Sequence, residues 1–326
     1  MNDQMSDRIG NVILNDSFYG GSEPDIWSGA AVLEQFAKDH KEHEYNSEIA
    51  REKNWAILFS FSHIRANLIE WLPIEKGDKI LEIGSGYGEL TGTLALKSGN
   101  VTGVEVSLAA CRTNALRNRE KEGITLYAGA FEQVRQALTG KYDWIILAGT
   151  LERSGEHCSG IHSEEKLLRI AKDMLSDKGR IVAAVDNRLG LKYFAGTPEA
   201  HSGRYFAGIE GYGDGDSKRS FAGPEFGKLL SDSGLSADMM YYPYPDHRLP
   251  MSVYSDGHLP QVGELWDNLR NFDIERYQLF DEKKSFDHMI QDGLFPVFSN
   301  SFLALAVPSG RAGKQEKKVI FSRYSN

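Results

Sequence analysis

Cysteine is scarce: Cys111 and Cys158 are the two in 326 residues, too few for a disulfide framework or a cysteine-rich zinc cluster. The expectation is a pair of reduced thiols in a cytoplasmic protein. Long apolar runs are also missing. The longest, at residues 144–148 and 302–307, fall far short of the ~20 residues that cross a bilayer, so no membrane span is expected. The first ten residues are polar and lack the apolar core of a secretory signal. Positive charge is in deficit, with 37 Lys and Arg against 46 Asp and Glu and a formal net charge of −9. A chain-wide basic footprint for nucleic acid is therefore absent. Internal repeats and long low-complexity tracts are absent too. What remains is 41% hydrophobic and 25% charged, close to the soluble globular average and enough for one large domain or two ordinary ones.

Residues 1–30 mix Gly, Ser, Asn and Asp without periodicity and read as an irregular arm. From 31 to 70, apolar residues such as Val32, Phe36, Trp55, Leu58, Phe61, Ile64 and Leu68 recur at spacings of three and four, a helical pattern. The charged run around His40 and His43 reads as a solvated face, since no metal-site motif surrounds it. Short apolar strands are then expected at 79–83, 101–106, 124–128, 144–148 and 180–185. Helices are expected at 91–97, 109–122 and 164–175. Strands alternating with helices predict a parallel sheet covered on both faces, and near-continuous apolar strands agree with that. Residues 190–227 hold nine of the 33 glycines, interleaved with Tyr193, Phe194, Tyr205, Phe206 and Tyr212. This reads as a long binding loop or lid. Beyond it, a helix at 224–233, strands at 239–242 and 301–307, a polar helix at 263–272, a charged linker at 314–318 and a last strand at 319–323 complete the expectation.

The stretch Leu81-Glu82-Ile83-Gly84-Ser85-Gly86-Tyr87-Gly88-Glu89-Leu90 follows a strand and opens a helix. Gly84, Gly86 and Gly88 allow a sharp bend with no Cβ between backbone and ligand. The spacing is G-x-G-x-G, not the G-x-G-x-x-G of the dinucleotide fingerprint, which weakens a dehydrogenase reading. An amino acid nucleoside without phosphate needs an acid for its ammonium, and Glu82 can supply one. Glu105 lies 21 residues past Gly84, at the end of the next strand, where a carboxylate accepts from both hydroxyls of a ribose.

On these residues the chain resembles the class I S-adenosylmethionine-dependent methyltransferases, over roughly residues 78–185 with a late strand at 301–307. The resemblance implies an α/β fold: a Rossmann-like seven-stranded sheet, mostly parallel with an antiparallel last strand and helices on both faces. An N-terminal helical extension and a glycine-rich insertion after strand five would be added to it. It implies an N-terminal arm and helical cap over 1–75, a methyltransferase domain over 76–310 with a lid or insertion at 188–223, and a charged linker and tail over 311–326. S-adenosylmethionine is the implied cofactor, with S-adenosylhomocysteine as its product. Its site would comprise Glu82, Gly84, Ser85, Gly86, Gly88, Glu105, Val106, Ala130, Phe131 and Gly149. Ala130 stands where an acid near the adenine amine is common, so adenine would be held there by backbone and apolar contact.

A narrower resemblance rests on Arg51-Glu52-Lys53-Asn54-Trp55, Asp186-Asn187-Arg188-Leu189-Gly190-Leu191-Lys192-Tyr193-Phe194-Ala195-Gly196, Gly208-Ile209-Glu210-Gly211-Tyr212, Tyr241-Tyr242-Pro243-Tyr244-Pro245-Asp246 and Phe298-Ser299-Asn300-Ser301-Phe302-Leu303. These are similar to methyltransferase domains of bacterial surface-glycan biosynthesis, of O-antigen and S-layer type, which occur beside glycosyltransferases and other glycan-assembly domains. That likeness implies a sugar hydroxyl of a glycan or nucleotide sugar as acceptor. The alternatives are another small-molecule acceptor or a cofactor-binding module without turnover. The segment Leu147-Ala148-Gly149-Thr150-Leu151-Glu152 should line the cofactor, and it lacks the motif of enzymes that methylate nucleic-acid amines. A base beyond the strand ends would activate the hydroxyl. His201 or His247 fits, since histidine titrates near neutrality. Asp186 could serve as base or orienting partner, Asn187 could bond the acceptor, and Asp246 is a further candidate. The tyrosines at 241, 242 and 244 form either an aromatic wall for a sugar face or a packed corner. No metal is expected.

Overall fold

The computed structural model describes residues 6–21, 23, 29–213, 217–265, 279–311 and 321–322. Its strands are β1 (Ser6–Ile9), β2 (Val12–Phe18), β3 (Ile80–Ile83), β4 (Val101–Glu105), β5 (Ile124–Gly129), β6 (Tyr142–Ala148), β7 (Leu175–Asp186), β8 (Leu235–Tyr244), β9 (Ser252–Ser255), β10 (Ser301–Pro308) and β11 (Phe321–Ser322). They form one sheet in the order β1-β2-β5-β4-β3-β6-β7-β10-β8-β9-β11. Pairing is parallel from β2 through β7. It is antiparallel at both margins, where β10 sits between β7 and β8.

The two-residue period of a strand explains why the central strands are apolar throughout. Leu81, Ile83, Ile145, Leu147, Ile181 and Ala183 bury into one layer. Ile80, Trp144, Ile146, Val182 and Ala184 bury into the other. Helices Ser163–Asp173 and Gly223–Asp232 cover the first face through Leu167, Leu168, Phe226 and Leu230. Helices Thr91–Ser98 and Leu108–Arg117 cover the second through Leu94, Ala95, Cys111 and Ala115.

The expected seven strands, residues 79–185 with 239–242 and 301–307, are all present as β3 to β8 and β10. The described sheet nevertheless has eleven. The arm expected to be irregular forms the β1–β2 hairpin, which extends the sheet parallel to β5 and buries Val12 and Leu14. At the other margin β9 and β11 are added beyond β8. The helical run expected at 31–70 is broken into α1 (Ala30–Asp39), α2 (Tyr45–Glu52), α3 (Trp55–Phe61) and two 3₁₀ turns at Glu42–Glu44 and His63–Leu68. Lys53 is left-handed at φ 48°, and Asn54 then caps α3 by accepting from the Ile57 amide. Ser62 starts the next turn the same way. Leu33, Phe36, Tyr45, Ile57 and Phe61 pack together with Tyr87, so the cap is anchored on the glycine-rich bend.

Most of the polar helix expected at 263–272 and the linker expected at 314–318 lie outside the described residues, and only β11 is described of the last expected strand. Both cysteines are free and buried. No helix among the described residues is long and apolar enough to cross a membrane.

Candidate active site

The chain runs from β3 outward to β5 on one side, then returns to β6 on the other. The ends of β3 and β6 therefore flank a switch point, the place where open α/β sheets bind ligands. Thr150, just past β6, donates its hydroxyl to the Ile83 carbonyl at 2.7 Å and locks the two strand ends together. A Cβ on Gly84 would lie 2.7 Å from that hydroxyl oxygen, and Gly84 sits at φ 76°. Both facts require glycine there.

Beside this bend opens a cavity of about 440 Å³, within the range of small-molecule sites. Gly84, Gly86, Glu105, Gly149, His201 and His247 line it, so the structure brings these expected residues together. Glu105 is 6% exposed. Its Oε2 accepts from the Gly86 amide at 2.9 Å and its Oε1 from the Ser107 amide at 3.1 Å. Burial raises its pKa, and those two amides oppose the rise. Each oxygen keeps lone-pair capacity for a ligand.

The other expected cofactor residues are set back from this wall. Glu82, expected to hold an ammonium, is a correction: its carboxylate turns beneath the bend and accepts from Thr91 Oγ1 at 2.6 Å. Burial pushes its pKa to about 8. Glu89 lines the cavity instead, with its carboxylate against Gly86. Gly88 packs against Asn114 and Asn118. Ser85 is buried beside Gly103, and Phe131 is wholly buried in the core. Val106 and Ala130 are half-buried and do not line the cavity. At the same end Arg65, from the turn after α3, lies over the Phe59 ring and donates Nη1 to the Arg248 carbonyl at 2.9 Å. Its buried Nε has no partner.

The opposite end is built by the glycine-rich segment and the turn after β8. Lys192, Tyr193, Pro198, Ala200, His201 and Lys218 form one wall, so the described part of that segment is packed structure. Glu199 organises it, accepting from the His201 and Ser202 amides and from Tyr212. Asp186 is fully buried and bound by both Lys192 and Arg248. Burial opposes its ionisation, but Arg248 and Lys192 outweigh burial and hold its pKa well below the usual carboxylate range. Asp246 shares both cations and falls to about 2 against the same opposition. A carboxylate so acidic is a poor proton acceptor, which corrects Asp186 as base and leaves it the orienting role. Asn187 is also a correction: its amide donates to the Val297 and Ser299 carbonyls and fixes the backbone.

His247 is 2% exposed. Its Nδ1 meets Ser301 Oγ at 3.0 Å and lies 3.9 Å from Asp186 Oδ1. Its Nε2 faces Gly149. Burial lowers its pKa to about 3 and that of His201 to about 4, so both rings are neutral at pH 7. Tyr241, Tyr242 and Tyr244 resolve to the packed corner. Tyr242 packs edge-on to Phe295 and Phe302, and Tyr244 to Phe286. The aromatic lining comes from Trp55, Phe59, Tyr87 and Tyr193.

Sequence reasoning missed Arg65, Lys192 and Arg248 and gave Glu152 no chemical role. Arg65 was hidden in a helical pattern. Lys192 and Arg248 carried a faint signal, lying within the Asp186 motif and beside His247. Glu152, buried after β6, accepts from the Asp186 amide through Oε1 at 2.7 Å. Among the described residues, Glu152, Asp186 and His201 bring ligand-type atoms within 4.8 Å of one another.

Residues 74–192 match the family model described as a methyltransferase domain. The probable cobalt-precorrin-6B C(15)-methyltransferase of Saccharolobus solfataricus is 30% identical over 138 residues, 40% of this chain and 64% of that protein. The ubiquinone biosynthesis O-methyltransferase of Pseudomonas aeruginosa is 27% identical over 120 residues, 36% of this chain and 52% of that one. The chain thus spans between half and two thirds of the length of these relatives. Among solved structures, the phosphoethanolamine N-methyltransferase 1 of Haemonchus contortus aligns with 90% of this chain and 53% of its own, at 14% identity and a TM-score of 0.47. S-adenosylmethionine fits the site on its own geometry: a side-chain-free bend, an acid with free lone pairs one strand over, and an unpartnered guanidinium nitrogen beside a carboxylate. Over residues 74–192 the chain is thus similar to methyltransferase domains.

Proposed function

We propose that the chain methylates a hydroxyl of a sugar, in a bacterial glycan or a nucleotide sugar, with S-adenosylmethionine as donor. The observation that carries this reading is one cavity with two unlike ends: the Gly84–Glu105 bend at one, and at the other uncharged His201 and His247 beside buried acids. The second end offers hydrogen-bond donors and acceptors and suits a polar, hydroxyl-bearing acceptor. Glycosyltransferases or other glycan-assembly domains are the partners this reading implies.

When bound, S-adenosylmethionine supplies a methyl group already activated on a sulfonium. The residues do the rest. Glu105 would accept from the ribose hydroxyls, and Gly84 and Gly86 would let the backbone lie close. Arg65 would hold the amino-acid carboxylate and Glu89 the ammonium. The segment bearing Lys192, Tyr193 and His201 closes the acceptor end against water. Asp186, pinned by Arg248 and Lys192, sets the positions of both cations and of His247. Positioning of this kind accounts for about 7–11 kcal/mol of a barrier, and a placed base adds roughly 10²–10⁴-fold. His201 and His247 both offer neutral rings to the cavity.

The test is incubation of the full chain with methyl-labelled donor and a panel of methyl glycosides, nucleotide sugars and bacterial glycans. Label in a sugar methyl ether is the expected outcome. Label entering only non-sugar acceptors refutes the sugar assignment.

A further inference from the structure

Two polar atoms of cavity-lining residues at the acceptor end are buried without hydrogen-bond partners: Glu152 Oε2 and His201 Nε2. Glu152 is 3% exposed, and its other oxygen is fixed by the Asp186 amide. Its carboxyl plane is therefore set while Oε2 is left unpaired. Glu152, His201 and Asp186 each bring one carboxylate oxygen or ring nitrogen within 4.8 Å of the others, a separation that one oxygen atom can bridge by hydrogen bonds to both sides. Buried polar groups are nearly always satisfied, and two orphans at one point mark a missing partner. Asp186 is already occupied by Arg248 and Lys192. Those two cations also make the spot a poor place for a further positive charge.

Resting on the methyltransferase reading above, we infer that Glu152 Oε2 and His201 Nε2 jointly hold the acceptor's reacting hydroxyl and that Glu152 takes its proton. As the acceptor oxygen gains the methyl group, its proton passes to Glu152 Oε2. The electron pair of the broken carbon–sulfur bond stays on the departing sulfur. Glu152 is suited to this. Burial first and the Asp186 charge second raise its pKa to about 8, so its carboxylate is a much stronger base than either neutral histidine. The charged and titratable groups around it are Asp186 and Lys192 from β7 and the segment after it, His201 from the glycine-rich wall, and Asp246, His247 and Arg248 from the turn after β8. Arg153, Glu156 and His157 adjoin it on its own segment.

The test compares the full chain with Glu152→Gln, which keeps the shape and the Asp186 amide bond. The probes are methyl glycosides and uridine diphosphate sugars, with water as the nucleophile when neither is added. Release of S-adenosylhomocysteine reports all of them, and calorimetry with S-adenosylhomocysteine reports the cofactor end. The expected result is turnover reduced 10²–10⁴-fold with cofactor affinity kept within threefold. The parent rate should rise with pH to a midpoint near 8, and the variant should lose that rise. Infrared spectra of the parent with S-adenosylhomocysteine bound should show a protonated carboxyl band that titrates near pH 8 and is lost in Glu152→Gln. A Glu82→Gln control removes the other buried acid of similar pKa. Turnover within threefold of the parent, or no such band, overturns the inference and leaves the methyltransferase reading intact. Turnover that requires Mn²⁺ or Mg²⁺ and stops with chelator also overturns it, because a cation would then be the missing partner. No release from the parent with any probe overturns both readings.

Discussion

Replacing Glu105 by Gln changes one atom's chemistry at the cofactor end, and its effects separate into two measurable parts. In the parent the two carboxylate oxygens accept from the Gly86 and Ser107 amides at 2.9 and 3.1 Å. An amide side chain has one acceptor oxygen, so its NH₂ must face one of these backbone N–H groups. That leaves a buried donor unpaired, at about 1–3 kcal/mol, a loss that a domain with roughly 5–15 kcal/mol of stability survives. The second part concerns the ligand. Ribose hydroxyls that donate to a carboxylate lose its charge, which costs about 2–3 kcal/mol, or roughly 30- to 150-fold in Kd. Calorimetry with S-adenosylhomocysteine reads the second part, and the unfolding midpoint without ligand reads the first. A lowered midpoint with a Kd within threefold of the parent would refute the reasoning. Glu105 would then hold the bend together without touching the cofactor.

Other expectations follow from the buried charges. Asp186→Asn removes the carboxylate that Arg248 and Lys192 share most closely, with Asp246 still beside both. It should cost about 3–5 kcal/mol, read as a lower denaturant midpoint, and an unchanged midpoint contradicts the network. Glu82 is buried and raised to about 8, against about 4.5 when unfolded. Between those values the folded state holds a proton that the unfolded state has lost, so this group's contribution is full below pH 4.5 and lost as pH rises through 8. Glu82→Gln, which can still accept from Thr91, should therefore melt as the parent does at pH 4.5 and above it at pH 9. Equal melting at both pH values would show that Glu82 is not held protonated.

The central strands were legible because both faces of the sheet are covered, which makes residues such as 80–83 and 144–148 apolar throughout. The β1–β2 hairpin was not, because β2 is buried only at its start and its later residues Asp16 and Ser17 are exposed. The breaks in the helical cap had a readable cause in Asn54 and Ser62, both capping residues, but the period of the apolar residues masked them. The glycine bend and Glu105 could be found because they are linked by spacing along the chain. Arg65, Glu152, Lys192 and Arg248 meet only through folding, and no local pattern marks them. Glu82 misled because an acid before a glycine bend can turn either toward the ligand or beneath it, and Thr91 decides which.

A crystal structure of the full chain with S-adenosylhomocysteine tests the central claim most directly. The account predicts ribose hydroxyls on Glu105, the amino-acid end between Arg65 and Glu89, and the sulfur turned toward Glu152 and His201. Ligand bound elsewhere, or ribose away from Glu105, would contradict it.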